Sequence, residues 1–281
     1  MFKTIKFKVS NFLKYLKHGG VTYVNVDFCQ PSRRFNRKIV LITGGSSGLG
    51  MEMAKEFLAE GAKVIIVGRN EKKLNETAKE LNNGNLSIML WDISIIHDID
   101  IKIQEAVAIY GHIDIFVNNA GIGIKYKSWK DYSVETFDEV HATNERSMFF
   151  MNQAEGRYLL DNKIQGSILN ISSMASLVPS FEPYSVSKWG VNCITQGMAR
   201  ILSPYNITVN AIAPGTVMTN IEDWYKGRSI EDNAFYEGQP TRRFTLKEEI
   251  AALALFLVSG AARNICGNVV SVDGGRFLQC R

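Results

Sequence analysis

Cysteine and proline are scarce: the chain of 281 residues has four of the first and six of the second. Cys29, Cys193, Cys266 and Cys280 are scattered with no Cys-x-x-Cys spacing. That argues against a zinc site and against a disulfide framework, and it fits a reducing compartment. His18, His97, His112 and His141 show no metal spacing either, so no metal is expected. Long apolar runs are missing too. No stretch approaches the roughly eighteen residues of a membrane span, and the longest candidate, 250–258, suits a buried helix. The N-terminus lacks the uninterrupted apolar core of a secretory signal. Internal repeats and low-complexity linkers are absent from the body. A cytoplasmic protein is expected, with ordinary globular composition (46% apolar, 21% charged) and enough apolar residues for a sizeable core.

Acidic residues are almost absent from the first 38 positions, which hold nine bases and one acid, Asp27. The remainder carries 23 bases against 27 acids, so the net charge of +4 belongs to an N-terminal arm. Phe2, Ile5, Val9, Phe12, Leu13 and Leu16 recur at helical spacing among lysines and predict a short basic amphipathic helix ending near Gly19-Gly20. A strand-like alternation over 21–28 and a linker over 31–34 follow. The reading is a basic extension over 1–35 ahead of one domain over 36–281. Packing on its own domain or on a neighbouring subunit is favoured for the arm. Membrane-peripheral attachment is the alternative, disfavoured because one short basic helix holds a lipid surface weakly. Nucleic acid is not expected, since no aromatic-rich basic module accompanies the arm.

Ile39-Val40-Leu41-Ile42 is a short apolar run suited to a buried parallel strand. Thr43-Gly44-Gly45-Ser46-Ser47-Gly48-Leu49-Gly50 follows, then a helical pattern through Met53, Ala54, Phe57 and Leu58, then an apolar strand at 64–67. This strand, glycine turn, helix and strand form the unit that seats a dinucleotide pyrophosphate on a helix N-terminus. The second strand ends at Gly68-Arg69, where an acid would hold a ribose 2′-hydroxyl and a cation would hold a 2′-phosphate. Arg69, with hydroxyls from Ser46 or Ser47, predicts NADP(H), with NAD(H) as the alternative.

Tyr184 and Lys188 are four residues apart in a stretch that reads as helix from Tyr184 to Leu202, so they share a face. An unperturbed phenol titrates near ~10, and a neighbouring ammonium favours the phenolate. Such a pair can pass a proton to or from an alcohol or carbonyl oxygen. By itself Tyr-x-x-x-Lys more often marks a solvated helix face than a site.

Taken together, Thr43-Gly-x-x-x-Gly-x-Gly50, Asn118-Asn119-Ala120-Gly121, Asn144, the serines after 168–171, Tyr184-x-x-x-Lys188, Pro214-Gly215 and Val272-Asp-Gly-Gly275 make the chain resemble the short-chain dehydrogenase/reductase family, in its single-domain branch, over roughly residues 36–277. The resemblance implies an α/β fold with a doubly wound, mostly parallel, Rossmann-like sheet. Strands at about 39–42, 64–67, 88–91, 113–117, 167–171, 207–212 and 268–272 agree with seven strands in one domain.

The resemblance also implies roles. Tyr184 would be the acid/base, and Lys188 would bind the nicotinamide ribose and lower the Tyr184 pKa. A serine would bond the substrate oxygen, and Asn144 would hold a relay water. Gly44, Ser46, Ser47, Gly48, Leu49 and Gly50 would cradle the pyrophosphate side. Asp92, Ile93, Asn119, Ala120 and Gly121 would border the adenosine. Pro214, Gly215, Val217 and Thr219 would flank the nicotinamide. The family pattern favours Ser173 over Ser172, although Ser173 lies about two residues nearer Tyr184 than is commonest, which shortens the 176–183 loop. The implied reaction is hydride transfer between nicotinamide and a carbonyl or secondary alcohol. The implied assembly is a homodimer or homotetramer through the 148–151 helix and the Tyr184 helix. The competing reading is a catalytically silent nucleotide-binding scaffold or sensor; the complete Tyr, Lys, Ser and Asn set favours the enzyme. The irregular, aromatic segment 216–244 is a candidate substrate lid.

Overall fold

A computed structural model describes residues 33–124, 128–217 and 238–279. The expected arm helix and strand, Thr219 and most of the candidate lid lie outside these residues. β1 (Ile39–Thr43) runs into α1 (Gly48–Ala59), β2 (Lys63–Gly68), α2 (Glu71–Leu81), β3 (Leu86–Leu90) and α3 (Ile99–Tyr110). Then come β4 (Ile115–Asn118), α4 (Val134–His141), a π-turn (Ala142–Arg146) and α5 (Ser147–Asp161). β5 (Ser167–Ile171), α6 (Pro183–Leu202), β6 (Thr208–Pro214), α7 (Lys247–Leu257), β7 (Val269–Val272) and α8 (Arg276–Gln279) complete the described chain. The sheet has seven strands in the order β3-β2-β1-β4-β5-β6-β7, every pair parallel.

Strand side chains alternate between two cores. Val40 and Ile42 join Val64, Ile66, Phe57 and Leu255 on the α1/α7 face. Ile39 and Leu41 join Phe116, Ile168, Met151 and Leu159 on the α3/α5/α6 face. Burial on both faces is why these strands read as continuous apolar runs. The chain winds outward from β1 to β3 and then returns to β4. That reversal opens a crevice at the carboxyl ends of β1 and β4, where doubly wound sheets bind ligands.

Residues 34 and 35 pack on the body. Phe35 is buried with its ring edge-on to Phe57, centroids 5.1 Å apart. Arg34 donates from its backbone (3.0 Å) and from Nε (2.9 Å) to the Glu60 carboxylate just beyond α1. These contacts sit at the amino end of the sheet, away from the crevice.

Candidate active site

The Gly-rich turn leaves β1 with Gly44 and Gly48 in the left-handed region, at φ 65° and 57°. A Cβ at Gly50 would lie 2.4 Å from Gly44 O, so the first turn of α1 can approach β1 only without a side chain there. Ser47 occupies the N-cap of α1, is exposed and makes no side-chain cap bond. The first backbone amides of the helix and this hydroxyl are therefore suited to an anionic group.

The Asn118–Gly121 segment is clamped onto this turn. Thr43 Oγ1 accepts from Asn119 N (3.0 Å) and Ala120 N (3.1 Å). Asn119 Nδ2 donates to Thr43 O (2.9 Å) and Gly44 O (3.2 Å). Sequence reading placed Asn119 and Ala120 at the site but missed Thr43 as the residue that ties the two loops. Its hydroxyl at the strand end, one residue before the first glycine, was the available signal.

Arg69 is exposed at the end of β2. Asp92 stands on the same rim, its Oδ1 accepting from Ser94 N (2.9 Å) and Ser94 Oγ (2.7 Å). Burial pushes the Asp92 carboxyl up, but the Ser94 bonds and the Arg69 charge outweigh it, so the group sits below its ordinary value. Ile93 packs its side chain into the α3/α5/α6 core, so any contact with a nucleotide would be through its backbone.

Pro183 starts α6, where a missing N–H costs nothing, and Tyr184 and Lys188 follow on one face. Lys188 Nζ lies 5.8 Å from the Tyr184 ring centroid and donates to Ile171 O at 2.9 Å. The ammonium is buried, and burial alone pulls its pKa down to about 8. Gly121 comes up against it: a Cβ there would be 3.5 Å from Lys188 Nζ and 3.2 Å from Asn144 Oδ1.

The two serines separate. Ser172 is buried and spends its hydroxyl on Asn192 Oδ1 (2.6 Å), Ser176 Oγ (3.0 Å) and Lys188 O (3.3 Å). Ser173 is half-exposed and its Oγ accepts from Ala175 N (3.2 Å), which leaves an O–H to donate. Asn144 lies inside the π-turn. Its Oδ1 accepts from Ile122 N (2.8 Å) and its Nδ2 donates to Ile122 O (2.9 Å), fixing the loop after Gly121. A π-turn within a helix was not legible from periodicity, and such insertions recur at functional sites.

On the far side, Gly215 N donates to Val272 O (2.9 Å), and Val217 bridges to Thr245. A cavity lies beyond β6 and β7, lined by Gln239, Thr241, Arg243, Glu249 and Asp273, and Tyr184 does not border it. Among the described residues no cluster could hold a metal, and no helix is long and apolar enough to cross a membrane.

Comparison with known proteins identifies the family. The family model described as enoyl-(acyl carrier protein) reductase matches residues 44–276. The chain belongs to the short-chain dehydrogenase/reductase family. It is 34% identical to the NAD-dependent glycerol dehydrogenase of Listeria innocua, over 86% of this chain and 94% of that one. It is 36% identical to the 3-oxoacyl-(acyl-carrier-protein) reductase of Chlamydia muridarum, over 85% and 96%. Among solved structures, the 3-ketoacyl-(acyl-carrier-protein) reductase of Brucella melitensis complexed with NADH superposes with a TM-score of 0.77 at 31% identity, over 86% and 99%. This member of the family is therefore an NAD(P)-dependent oxidoreductase acting on CH–OH and C=O groups.

Proposed function

We propose that this dehydrogenase/reductase uses NADP(H) and moves a hydride between nicotinamide and a carbonyl or secondary alcohol, with Tyr184 as the acid/base. The observation that carries the reading is the Tyr184–Lys188 pair on one face of α6, with the Lys188 head against the Gly121 backbone. The residues fit the nucleotide. The glycine turn gives close backbone approach, the α1 N-terminus would face the phosphate side, and Gly121 presents no side chain to the lysine head. Gly44, Ser46, Ser47, Gly48, Leu49, Gly50, Asn119 and Ala120 would hold the pyrophosphate and adenosine side. Pro214, Gly215, Val217 and Thr219 would flank the nicotinamide. When bound, the nicotinamide supplies or accepts the hydride.

The chain itself manages one proton and one developing charge. Tyr184 would give its proton to the carbonyl oxygen during reduction. Ser173 would donate to the same oxygen, so two hydroxyls stabilise the charge that develops there. Lys188 would hold ribose hydroxyls and favour the phenolate once the proton has left. Asn144 and Lys188, which both face the Gly121 backbone, would hold a water that returns the proton from solvent.

Arg69 supports NADP(H), because a guanidinium at the end of β2 forks onto a 2′-phosphate. The relative named for NAD and the structure complexed with NADH make the comparison of the two cofactors decisive. NADPH and NADH would be titrated by tryptophan fluorescence into wild type and Arg69→Ala. Losing a charged hydrogen bond of roughly 1.5–3 kcal/mol should weaken NADPH by about tenfold or more and leave NADH unchanged. An unchanged preference would remove Arg69 from the assignment.

The same reading includes a homodimer or homotetramer. Phe149 on α5 and Trp189 on α6 are large, apolar and exposed, as an interface between copies would require. Sedimentation of wild type should give a dimer or tetramer, with Trp189→Asp shifted towards monomer; a monomeric wild type would reject this assembly.

A further inference from the structure

Helix α5 carries a carboxyl where an apolar side chain is expected. Met148, Met151, Asn152, Glu155 and Leu159 recur at helical spacing and are all buried. Glu155 is completely inaccessible. Its Oε2 accepts from Asn118 Nδ2 at 2.8 Å. Asn118 and Asn170 are register partners on β4 and β5, and Asn118 Nδ2 also reaches Asn170 Oδ1 at 3.1 Å. Asn170 Nδ2 donates to Asn152 Oδ1 on α5 (3.0 Å) and to Thr195 Oγ1 on α6 (3.0 Å), while Asn152 Nδ2 returns a bond to Asn170 Oδ1 (3.0 Å). Five polar side chains from four elements thus form one buried cluster in the α3/α5/α6 layer.

Two atoms of the cluster have no hydrogen-bond partner: Glu155 Oε1 and Asn118 Oδ1. Both are acceptors if Glu155 is ionised. A proton on Oε1 turns one of the two orphans into the donor that the cluster lacks. Asn118 from β4 is the side chain that bonds Glu155, and the rest of the cluster is Asn170 from β5, Asn152 from α5 and Thr195 from α6. None carries a charge. Burial accordingly pushes the Glu155 carboxyl up to about 8, against a small downward pull from Asn118.

Each end of the cluster adjoins the site. Asn118 immediately precedes Asn119, whose amide clamps the glycine turn. Asn170 immediately precedes Ile171, whose carbonyl receives Lys188 Nζ, and the two serines follow. We propose that Glu155 is a positioning residue that acts as a neutral acid, locking the nucleotide-clamping loop to the strand that seats Lys188 and Ser173. It touches neither nucleotide nor substrate. The nucleotide part of this proposal rests on the function given above; the protonation part does not.

The sign of the pH effect follows from the direction of the shift. The folded chain holds the Glu155 proton more tightly than the unfolded chain does. The stabilising contribution is therefore full below the ordinary value of 4.5 and is lost progressively as pH rises towards about 8. Above that, an uncompensated charge occupies the cluster, which strains the Asn118 contact.

The test compares wild type, Glu155→Gln and Glu155→Leu. Gln can accept from Asn118 Nδ2 and donate in place of the carboxyl proton, but it does not titrate. The urea midpoint of Glu155→Gln should gain on that of wild type as pH rises from 5 to 8, and then the gap should level off. NADPH affinity at pH 7 should be within about threefold of wild type for Glu155→Gln and about tenfold weaker for Glu155→Leu. Between pH 7 and 9.5 wild type should lose more affinity than Glu155→Gln. Lys188 titrates in the same range, so only the difference between the two proteins counts. Parallel urea and affinity curves for wild type and Glu155→Gln would overturn the proposal.

Should Glu155→Gln not fold, wild type alone decides. Its infrared spectrum should show the carbonyl band of a buried protonated acid at pH 7 that disappears by pH 9.5, and no such band overturns the proposal. If the stability difference and the band are present but neither protein binds nucleotide, the assigned function fails while the neutral acid stands.

Discussion

Tyr184→Phe is expected to lower kcat by about 10²–10⁴-fold, the usual worth of a positioned general acid or base. The change deletes one oxygen. The ring, its place on α6 and the Lys188 head 5.8 Å from its centroid all remain. Affinity for NADPH should therefore stay within a few-fold of wild type, because the glycine turn and Lys188 are untouched. Single-turnover hydride transfer to an accepted carbonyl substrate is the measurement. Turnover within tenfold of wild type would mean that another group supplies the proton, and Tyr184 would lose its role. Loss of nucleotide binding together with turnover would instead mark Tyr184 as part of the cradle.

The second large effect is expected at Gly50, where the harm comes from adding atoms. An alanine Cβ would meet Gly44 O at 2.4 Å and Asn119 Nδ2 at 2.6 Å. Backbone cannot rotate out of the way as a flexible side chain can. The α1 N-terminus must lift off the turn, or the Asn119 clamp must open. Overpacking of this kind costs about 1–3 kcal/mol of stability, and the displaced amides should weaken nucleotide binding by at least about tenfold. Gly84→Ala is the matching control, since a Cβ there meets nothing within 4 Å. Urea denaturation and NADPH titration of both variants read the two effects. Equal behaviour of Gly50→Ala and Gly84→Ala would show that close approach at Gly50 is not required.

The parts of the fold that follow from one-dimensional rules were legible. The Ile39–Ile42 run marks β1 because a strand buried on both faces has no polar positions to interrupt it. α6 was readable from Tyr184 to Leu202 because apolar spacing and the absence of proline reach across it; the observed helix adds only Pro183. The glycine turn was legible because its spacing encodes close approach.

What resisted reading depends on three dimensions. The π-turn at Ala142–Arg146 adds residues to a helical ladder without disturbing the local pattern. Whether Ser172 or Ser173 faces the crevice depends on which way the end of β5 points. Ser172 finds Asn192 only with α6 in place, whereas Ser173 bonds the local Ala175 N. Glu155 is an acid on an apolar stripe, but the residue it bonds, Asn118, lies 37 positions earlier on β4. No spacing rule connects them.

The anchoring of Arg34 and Phe35 against the far end of α1 also sets a direction. Arg34 and Phe35 lie at the pole where strands begin, while Tyr184, Ser173 and the glycine turn follow strand ends. A support coupled at residue 33 would thus hold the body mouth-outward, with its cleft facing the solution.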